Sequence, residues 1–264
     1  MNKTKRLVVK VGTSTLTYET GHLNIRRIEK LVKVLSDLKN SGMEIALVSS
    51  GAIGVGVGEL GLKERPSDTP TKQAAAAVGQ CELMYLYDQL FSGFHHKVAQ
   101  LLLTKDVIDD TVRKTNVINT LDRLMELGVV PIINENDTVS VEEIVFGDND
   151  TLSAVVAVLC EADLLVLMSD IDGLFDKNPK EHSDAKIIRE VHAIDEKVEA
   201  LAGGAGSSRG TGGMITKLHA AKLANEHGID MMIVNGDDPD NLYRIFDGEE
   251  IGTRFFARRI EVHA

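Results

Sequence analysis

Leu7-Val8-Val9-Lys10-Val11-Gly12-Thr13-Ser14 is the stretch from which the architecture follows. Its first five residues are a short apolar run that ends abruptly at a glycine and two small polar residues. A run of this kind reads as a strand buried on both faces, as in a parallel sheet. Lys10 is out of place there, because a charge near the end of a buried strand is costly without a partner. A lysine that snorkels to solvent at a sheet edge is the plain alternative. A helix follows, with Ile25, Ile28, Leu31, Val32, Leu35 and Leu38 on one face, and Gly42 ends it. Glu44 to Val48 is a second strand, closed by Ser49-Ser50-Gly51. The two strands and the helix form a βαβ unit whose crossover should be right-handed.

The same alternation continues outward. The spacing predicts an Ala-rich helix over Thr71 to Phe91, a strand over Val98 to Leu103, a helix over Val112 to Leu127 and a strand over Val129 to Ile133. Thr138 to Phe146 alternates in part, as a hairpin over a site would. Gly147-Asp148-Asn149-Asp150-Thr151 then opens an apolar helix to Leu159, and three acidic or amide residues in a row exceed what one helix cap requires. Asp163 to Met168 is a further buried strand ending at Ser169-Asp170. A short strand near Ile187-Ile188, a helix near Asp195 to Leu201, a helix ending about His227 and strands at Met231 to Val234 and Gly252 to Phe256 complete the chain. No repeat and no long linker divides it. The expectation is one α/β domain over residues 1–264, a three-layer αβα sandwich with a mostly parallel central sheet.

Gly56-Val57-Gly58-Glu59-Leu60-Gly61 matches the dinucleotide pattern G-x-G-x-x-G, with Glu82 at a suitable distance. The true fingerprint begins at the strand end. Here the strand ends at Ser49, so the pattern falls inside a helix and a nicotinamide site is set aside. No G-x-x-x-x-G-K-[ST] occurs.

Composition narrows the class. The 264 residues are 43% hydrophobic and 26% charged, with a net charge of −11. That charge argues against nucleic acid as the main partner, since a phosphate backbone needs a basic face. No apolar run approaches the roughly 18 to 20 residues that span a bilayer, and the N-terminal apolar stretch is too short for a signal sequence. A cytoplasmic enzyme without membrane contact is expected. Cys81 and Cys160 sit in apolar surroundings and read as buried thiols. The histidines are scattered without metal-ligand spacing, so no metal site is expected.

Gly203 to Lys222, GGAGSSRGTGGMITKLHAAK, is a glycine-rich loop that becomes an amphipathic helix through Met214, Leu218 and Ala221. Free N–H groups and the positive end of the dipole make such a junction an anion site. Lys217 lies one turn in, and helical side chains lean back toward the N-terminus, so its ammonium should point at the same anion. A flexible surface loop with a solvated lysine is the alternative. In a parallel sheet all carboxyl ends share one edge. Lys10 to Ser14, Ser49 to Gly51, Asn134 to Asp137 and Ser169-Asp170 should therefore converge with Asn149-Asp150 and the glycine-rich loop. Two lysines, an aspartate and two sets of free amides suit phosphoryl transfer, where catalysis is mostly positioning plus electrostatics. A charge at 4 Å contributes roughly 4 kcal/mol at an effective dielectric of 20, against about 0.3–1 kcal/mol for a helix terminus, so the lysines should dominate. Two lysines aimed at one phosphoryl group repel, and Asp150 is the candidate that holds both forward.

KVGTS at Lys10 to Ser14, SSGAI at Ser49 to Ile53, INEND at Ile133 to Asp137, GDNDTLSA at Gly147 to Ala154, SDIDGLF at Ser169 to Phe175 and GTGGMITK at Gly210 to Lys217 resemble the amino acid kinase family. The ordered set covers nearly the whole chain. The INEND and GDND segments resemble the branch that phosphorylates glutamate more than relatives acting on N-acetylglutamate, aspartate, carbamate or uridylate. The resemblance implies that ATP phosphorylates the side-chain carboxylate of L-glutamate, the first step of proline biosynthesis. It implies Lys10, Lys217 and Asp150 as catalytic residues. It implies Ser50, Gly51, Asn134, Asp137 and Asn149 as glutamate-binding residues in the N-terminal half. Lys10, Gly12, Ser169, Asp170, Thr211, Gly212, Gly213, Met214 and Lys217 would bind ATP, mostly from the C-terminal half, with Mg²⁺ carried on the phosphates. Feedback inhibition by proline, a homo-oligomer and a pathway partner, glutamate-5-semialdehyde dehydrogenase, are also implied. Many bacterial members carry a C-terminal PUA domain, and this chain resembles the form without it. A sibling kinase with another carboxylate substrate, and a non-catalytic amino-acid sensor, are the competing readings. A sensor is expected to lose a lysine or the aspartate, and Lys10, Asp150 and Lys217 are all present.

Overall fold

A computed structural model describes residues 4–18, 20–104, 106–139, 149–203 and 213–257. The first βαβ unit is β1 (Arg6–Val11), the short α1 (Thr13–Leu16), α2 (Ile25–Asn40) and β2 (Glu44–Ser49). Then come α3 (Ala52–Glu59), α4 (Thr69–Ser92), β3 (Val98–Leu103), α5 (Asp106–Asp109), α6 (Thr111–Glu126), β4 (Val130–Glu135) and α7 (Asn149–Leu159). The remainder is β5 (Leu164–Ser169), a hairpin of β6 (Leu174–Phe175) and β7 (Ile187–Ile188), β8 (Glu190–Val191), α8 (Glu196–Gly203), α9 (Met214–Glu226), β9 (Asp230–Asn235), α10 (Asn241–Phe246) and β10 (Thr253–Phe255).

The main sheet runs β3-β4-β2-β1-β5-β9-β10-β8. Its first six strands are mutually parallel, and β10 pairs antiparallel to β9 and parallel to β8. The expected αβα layering follows from side-chain alternation along buried strands. Leu7, Val9 and Val11 face a core shared with α2, α4 and α10, whereas Val8 faces the core built by α6, α7 and α9. Lys10 is in register with Val8 and so points toward α7 and α9.

Local chemistry sets the helix starts. Asn24 caps α2 by accepting from Arg27 N at 3.2 Å. Asp68 caps α4, which also has Pro70 in its first turn, and Asp110 accepts from Val112 N and Arg113 N at the start of α6. Each such cap stabilises a helix by about 1 kcal/mol.

Two expectations change. β4 extends to Glu135, so Asn134 and Glu135 of the INEND segment are strand residues, fixed by pairing to Leu102 and Leu103. Cys160 is buried as expected, but Cys81 is exposed, because it lies on the outer side of α4, opposite the stripe of Leu83 and Tyr87. The hairpin expected over Thr138 to Phe146 lies largely outside the described residues, as does most of the Gly203 to Arg209 loop.

One glycine of the dinucleotide look-alike, Gly56, has a packing role against α4. A Cβ on Gly56 of α3 would sit 1.8 Å from Ala75 O of α4, and one on Gly79 of α4 would sit 1.9 Å from Ala52 O of α3. The two helix backbones touch, and neither position has room for a methyl group. Gly79→Ala should therefore destabilise the fold by about 1–3 kcal/mol, the usual range for overpacking, or more if α4 cannot shift. The midpoint of a urea unfolding curve measures it.

Candidate active site

The carboxyl ends of the parallel strands share one edge, and Asp150 stands at its centre in the first turn of α7. It is fully buried, and its two oxygens face two lysines. Lys10 Nζ from β1 lies 2.6 Å from Oδ1, and Lys217 Nζ from α9 lies 2.9 Å from Oδ2. Lys10 is 8% exposed and Lys217 4%. The Thr216 hydroxyl lies 3.1 Å from the same Oδ2 and 2.7 Å from Gly213 O. Burial alone would push the Asp150 carboxyl up, but Lys10 and Lys217 outweigh it and hold the group below the ordinary carboxylate range. Asp150 is thus an anion that spaces two cations. The snorkelling alternative for Lys10 does not occur, and Asp150 spends its oxygens on lysines rather than on a helix cap.

Around this centre the backbone turns are small and open. Gly12 ends β1 and begins α1, and Arg27 holds that turn from behind, donating to Ser14 O at 3.1 Å while pairing with Asp237 at 3.0 Å. Gly51, with φ +103°, makes the left-handed turn that starts α3, a conformation only glycine adopts without strain. Gly213 precedes α9 and gives no side-chain cap to the first N–H groups of that helix, which begins one turn before Lys217.

A second group adjoins the first through the neighbouring residue, Asn149. Its Nδ2 donates to Asn134 Oδ1 at 2.8 Å and to Ser50 Oγ at 2.8 Å. Asn134 Oδ1 also accepts from Glu135 N at 2.9 Å, and Asn134 Nδ2 donates to Gln80 Oε1 of α4 at 2.9 Å. Ser49 Oγ meets Tyr87 OH, again of α4, at 2.9 Å. Asp137, two residues beyond β4, joins none of these hydrogen bonds. Its carboxyl is pushed up to about 6, first by burial and then by Glu135, with Arg65 opposing.

On the other side of Lys217 lies a cleft of about 720 Å³, counting its open mouth. It is lined by the apolar Ile171, Leu174, Phe175, Pro179, Leu201 and Met214 and by the charged Asp170, Lys177, Lys180 and Lys217. Ser169 directs its hydroxyl to Asp170 at 3.1 Å instead of lining the cleft.

Of the residues singled out in the sequence, the structure joins Lys10, Asp150 and Lys217 in one cluster. Ser50, Asn134 and Asn149 form another, and Asp170, Gly213, Met214 and Lys217 border one cleft. Thr211 and Gly212 lie outside the described residues. Gln80, Tyr87, Thr216 and Arg27 were missed. The buried side of α4 held the signal for two of them, since Gln80 and Tyr87 are polar residues two turns apart in line with Leu83. Among the described residues no group of three His, Cys, Asp or Glu side chains could hold a metal ion, and no helix is long and apolar enough to cross a membrane.

The profile described as "Amino acid kinase family" matches residues 5–235. A protein named glutamate 5-kinase from Clostridium perfringens is 54% identical over 99% of this chain and 98% of its own length. Another of that name, from Listeria monocytogenes, is 51% identical over 99% of this chain and 96% of its own. The solved structure of carbamate kinase from Giardia lamblia bound to AMP-PNP superposes with a TM-score of 0.66 at 17% identity, covering 97% of this chain and 99% of that one. At that identity the superposition shows a shared fold and nothing further.

Removing the central anion leaves two buried ammoniums without the carboxylate that holds them. Asp150→Ala should destabilise the protein by about 3–5 kcal/mol, as breaking a buried ion pair does. Urea unfolding at neutral pH checks this, and added inorganic phosphate should recover part of the loss. In the wild type the same contribution is complete above a pH of about 4 and fades as pH falls below it, because the folded-state pKa is depressed.

Proposed function

The chain belongs to the amino acid kinase family, and we propose that it transfers the γ-phosphoryl group of ATP to the side-chain carboxylate of L-glutamate. The product is L-glutamyl 5-phosphate, and the reaction opens proline biosynthesis. Near-complete alignment with glutamate 5-kinases supports the substrate. The observation that carries the chemistry is the pair of lysines on the two oxygens of Asp150.

In this reading a glutamate carboxylate oxygen attacks the γ-phosphorus as the bond to the β-γ bridging oxygen breaks, and ADP leaves with those electrons. The nucleophile is ionised at neutral pH, so no general base is required. The protein's task is to stabilise charge spread over the equatorial oxygens. Lys10 and Lys217 supply that stabilisation from two sides, and Asp150 keeps them spaced and forward. The amides at Gly12, Gly51 and Gly213 offer donors at fixed positions. Gly213 and Met214 bring the start of α9 to the phosphates, and Asp170 with the apolar cleft wall holds the nucleoside. Ser169 acts through Asp170, while Thr211 and Gly212 are assigned to ATP from the motif. Ser50, Asn134, Asp137 and Asn149 hold glutamate. The N-terminal half thus serves glutamate and the C-terminal half ATP.

Mg²⁺ would be carried on the phosphates, as suits an ion that keeps most of its waters and needs few protein ligands. Bound there, it neutralises phosphate charge. Proline feedback, a homo-oligomer and hand-over to glutamate-5-semialdehyde dehydrogenase belong to the same reading and rest on the family alone.

A hydroxamate assay with ATP and Mg²⁺ over glutamate, N-acetylglutamate and aspartate tests the substrate. Glutamate should be preferred, and preference for either alternative would overturn the assignment. Lys217→Ala should lower kcat by roughly 10²–10³, as loss of one oxyanion donor does. Near wild-type turnover would remove Lys217 from the mechanism. The elevated Asp137 pKa adds a pH signature. As pH falls through about 6 the carboxylate gains a proton and its hold on the substrate ammonium weakens, so the glutamate KM should rise while the ATP KM does not. Asp137→Asn should abolish that rise.

A further inference from the structure

We infer that Gln80 is a positioning residue that sets the hydrogen-bond polarity of the glutamate site, an inference that rests on the proposed function for its substrate. The chain of bonds has one member that cannot be reversed. Glu135 N–H belongs to the backbone and can only donate, so the Asn134 atom facing it at 2.9 Å must be Oδ1. Every later assignment follows. Asn134 Nδ2 is then turned toward α4, where it needs an acceptor, and Gln80 Oε1 supplies it at 2.9 Å. Asn134 Oδ1 has one lone pair left, which accepts from Asn149 Nδ2 at 2.8 Å. The second Asn149 amide hydrogen goes to Ser50 Oγ at 2.8 Å.

Two consequences reach the substrate. Asn149 has used both donors inside the protein, so it presents its carbonyl Oδ1 and reads a donor such as an α-ammonium. Ser50 accepts from Asn149, so its own proton is directed away from this chain and reads an acceptor such as a carboxylate. Neither is charged, yet together they discriminate the two ends of an amino acid. Gln80 touches no substrate, and it closes the buried end of this chain from inside α4. It is 9% exposed, and Asn134 is 2% exposed. Water is therefore a poor substitute for its carbonyl. Without that acceptor the buried Asn134 amide is driven to rotate, which would place Nδ2 against Glu135 N–H or against Asn149 Nδ2. Two donors would then face each other, and the polarity offered by Asn149 and Ser50 would no longer be fixed.

Gln80→Met keeps the side-chain length and removes the acceptor, whereas Gln80→Glu keeps an acceptor at the same place. In the full-length protein, Gln80→Met should raise the glutamate KM about tenfold, the effect of one unsatisfied buried donor. Its ATP KM and kcat should stay within about twofold of wild type, since uniform ground-state binding is what is lost. Gln80→Glu should retain most of the glutamate affinity. An unchanged glutamate KM in Gln80→Met overturns the inference. So does a parallel rise in the ATP KM, which marks general loosening, and so does equal impairment of Gln80→Glu. Side-chain amide hydrogen exchange of Asn134 and Asn149, read by NMR without substrate, provides an independent measure. It should accelerate in Gln80→Met and not in Gln80→Glu, and identical exchange in all three proteins overturns the inference. Failure of wild type to bind or turn over glutamate would defeat the proposed function instead, and the amide exchange would still decide the role of Gln80.

Discussion

The contact on which the site depends is one carboxylate held between two ammoniums. Lys10 and Lys217 come from β1 and α9, elements more than two hundred residues apart, and each ends within 3 Å of a different oxygen of Asp150. Desolvating three charges is unfavourable by itself. The arrangement persists because each charge faces its opposite and because β1 and α7, which carry Lys10 and Asp150, are buried over most of their length. What remains is a net positive pair at the edge of a chain whose overall charge is −11. Cations of an acidic protein are most effective when gathered where an anion must bind. Asp150 makes that gathering compatible with folding before any phosphate arrives.

The parallel sheet provides the convergence. Strands β1, β2, β4 and β5 end at one edge, and α7 begins there, so residues distant in sequence become neighbours without long loops. Helix α4 has a separate duty. Its backbone lies against α3 through Gly56 and Gly79, and that closeness sets the height at which Gln80 and Tyr87 reach Asn134 and Ser49. A methyl group at either glycine would move the shelf on which the amide chain stands. Packing and polarity at this site are therefore one constraint.

The layered sheet and its strand ends were legible because buried strands and amphipathic helices have different periods. Lys10 was legible because a charge in LVVKV requires an explanation, and alternation from Val8 gives the face on which the explanation lies. The glycines at 56, 58 and 61 could be excluded as a nucleotide fingerprint from their offset past Ser49. The contact of Gly56 with α4 could not be read, since a crossing of two helices leaves no periodic mark on either. Gln80 had a visible signal in its position beside Leu83 and Tyr87, but its partner lies 54 residues away. Cys81 was misread because an apolar neighbourhood in sequence does not say which side of a helix a residue takes. Burial along α4 is decided by what packs on it.

In the proposed function the two halves of the site solve recognition with different physics. Phosphoryl oxygens would be met by full charges, which act over several ångströms and tolerate the movement of the transferring group. The amino-acid side is built from neutral amides and a hydroxyl, whose interactions vanish when misaligned by a fraction of that distance. Such groups discriminate only if their orientation is fixed, and an amide can rotate to exchange donor for acceptor. Anchoring the chain on Glu135 N–H removes that freedom at one end, and a buried carbonyl from α4 removes it at the other. Asp137 adds charge on the same side, but its raised pKa makes that charge conditional on pH. Under that proposal orientation is the more constant basis of selectivity, and it would derive from Glu135 N–H of the strand and Gln80 of the helix, neither of which would meet the substrate.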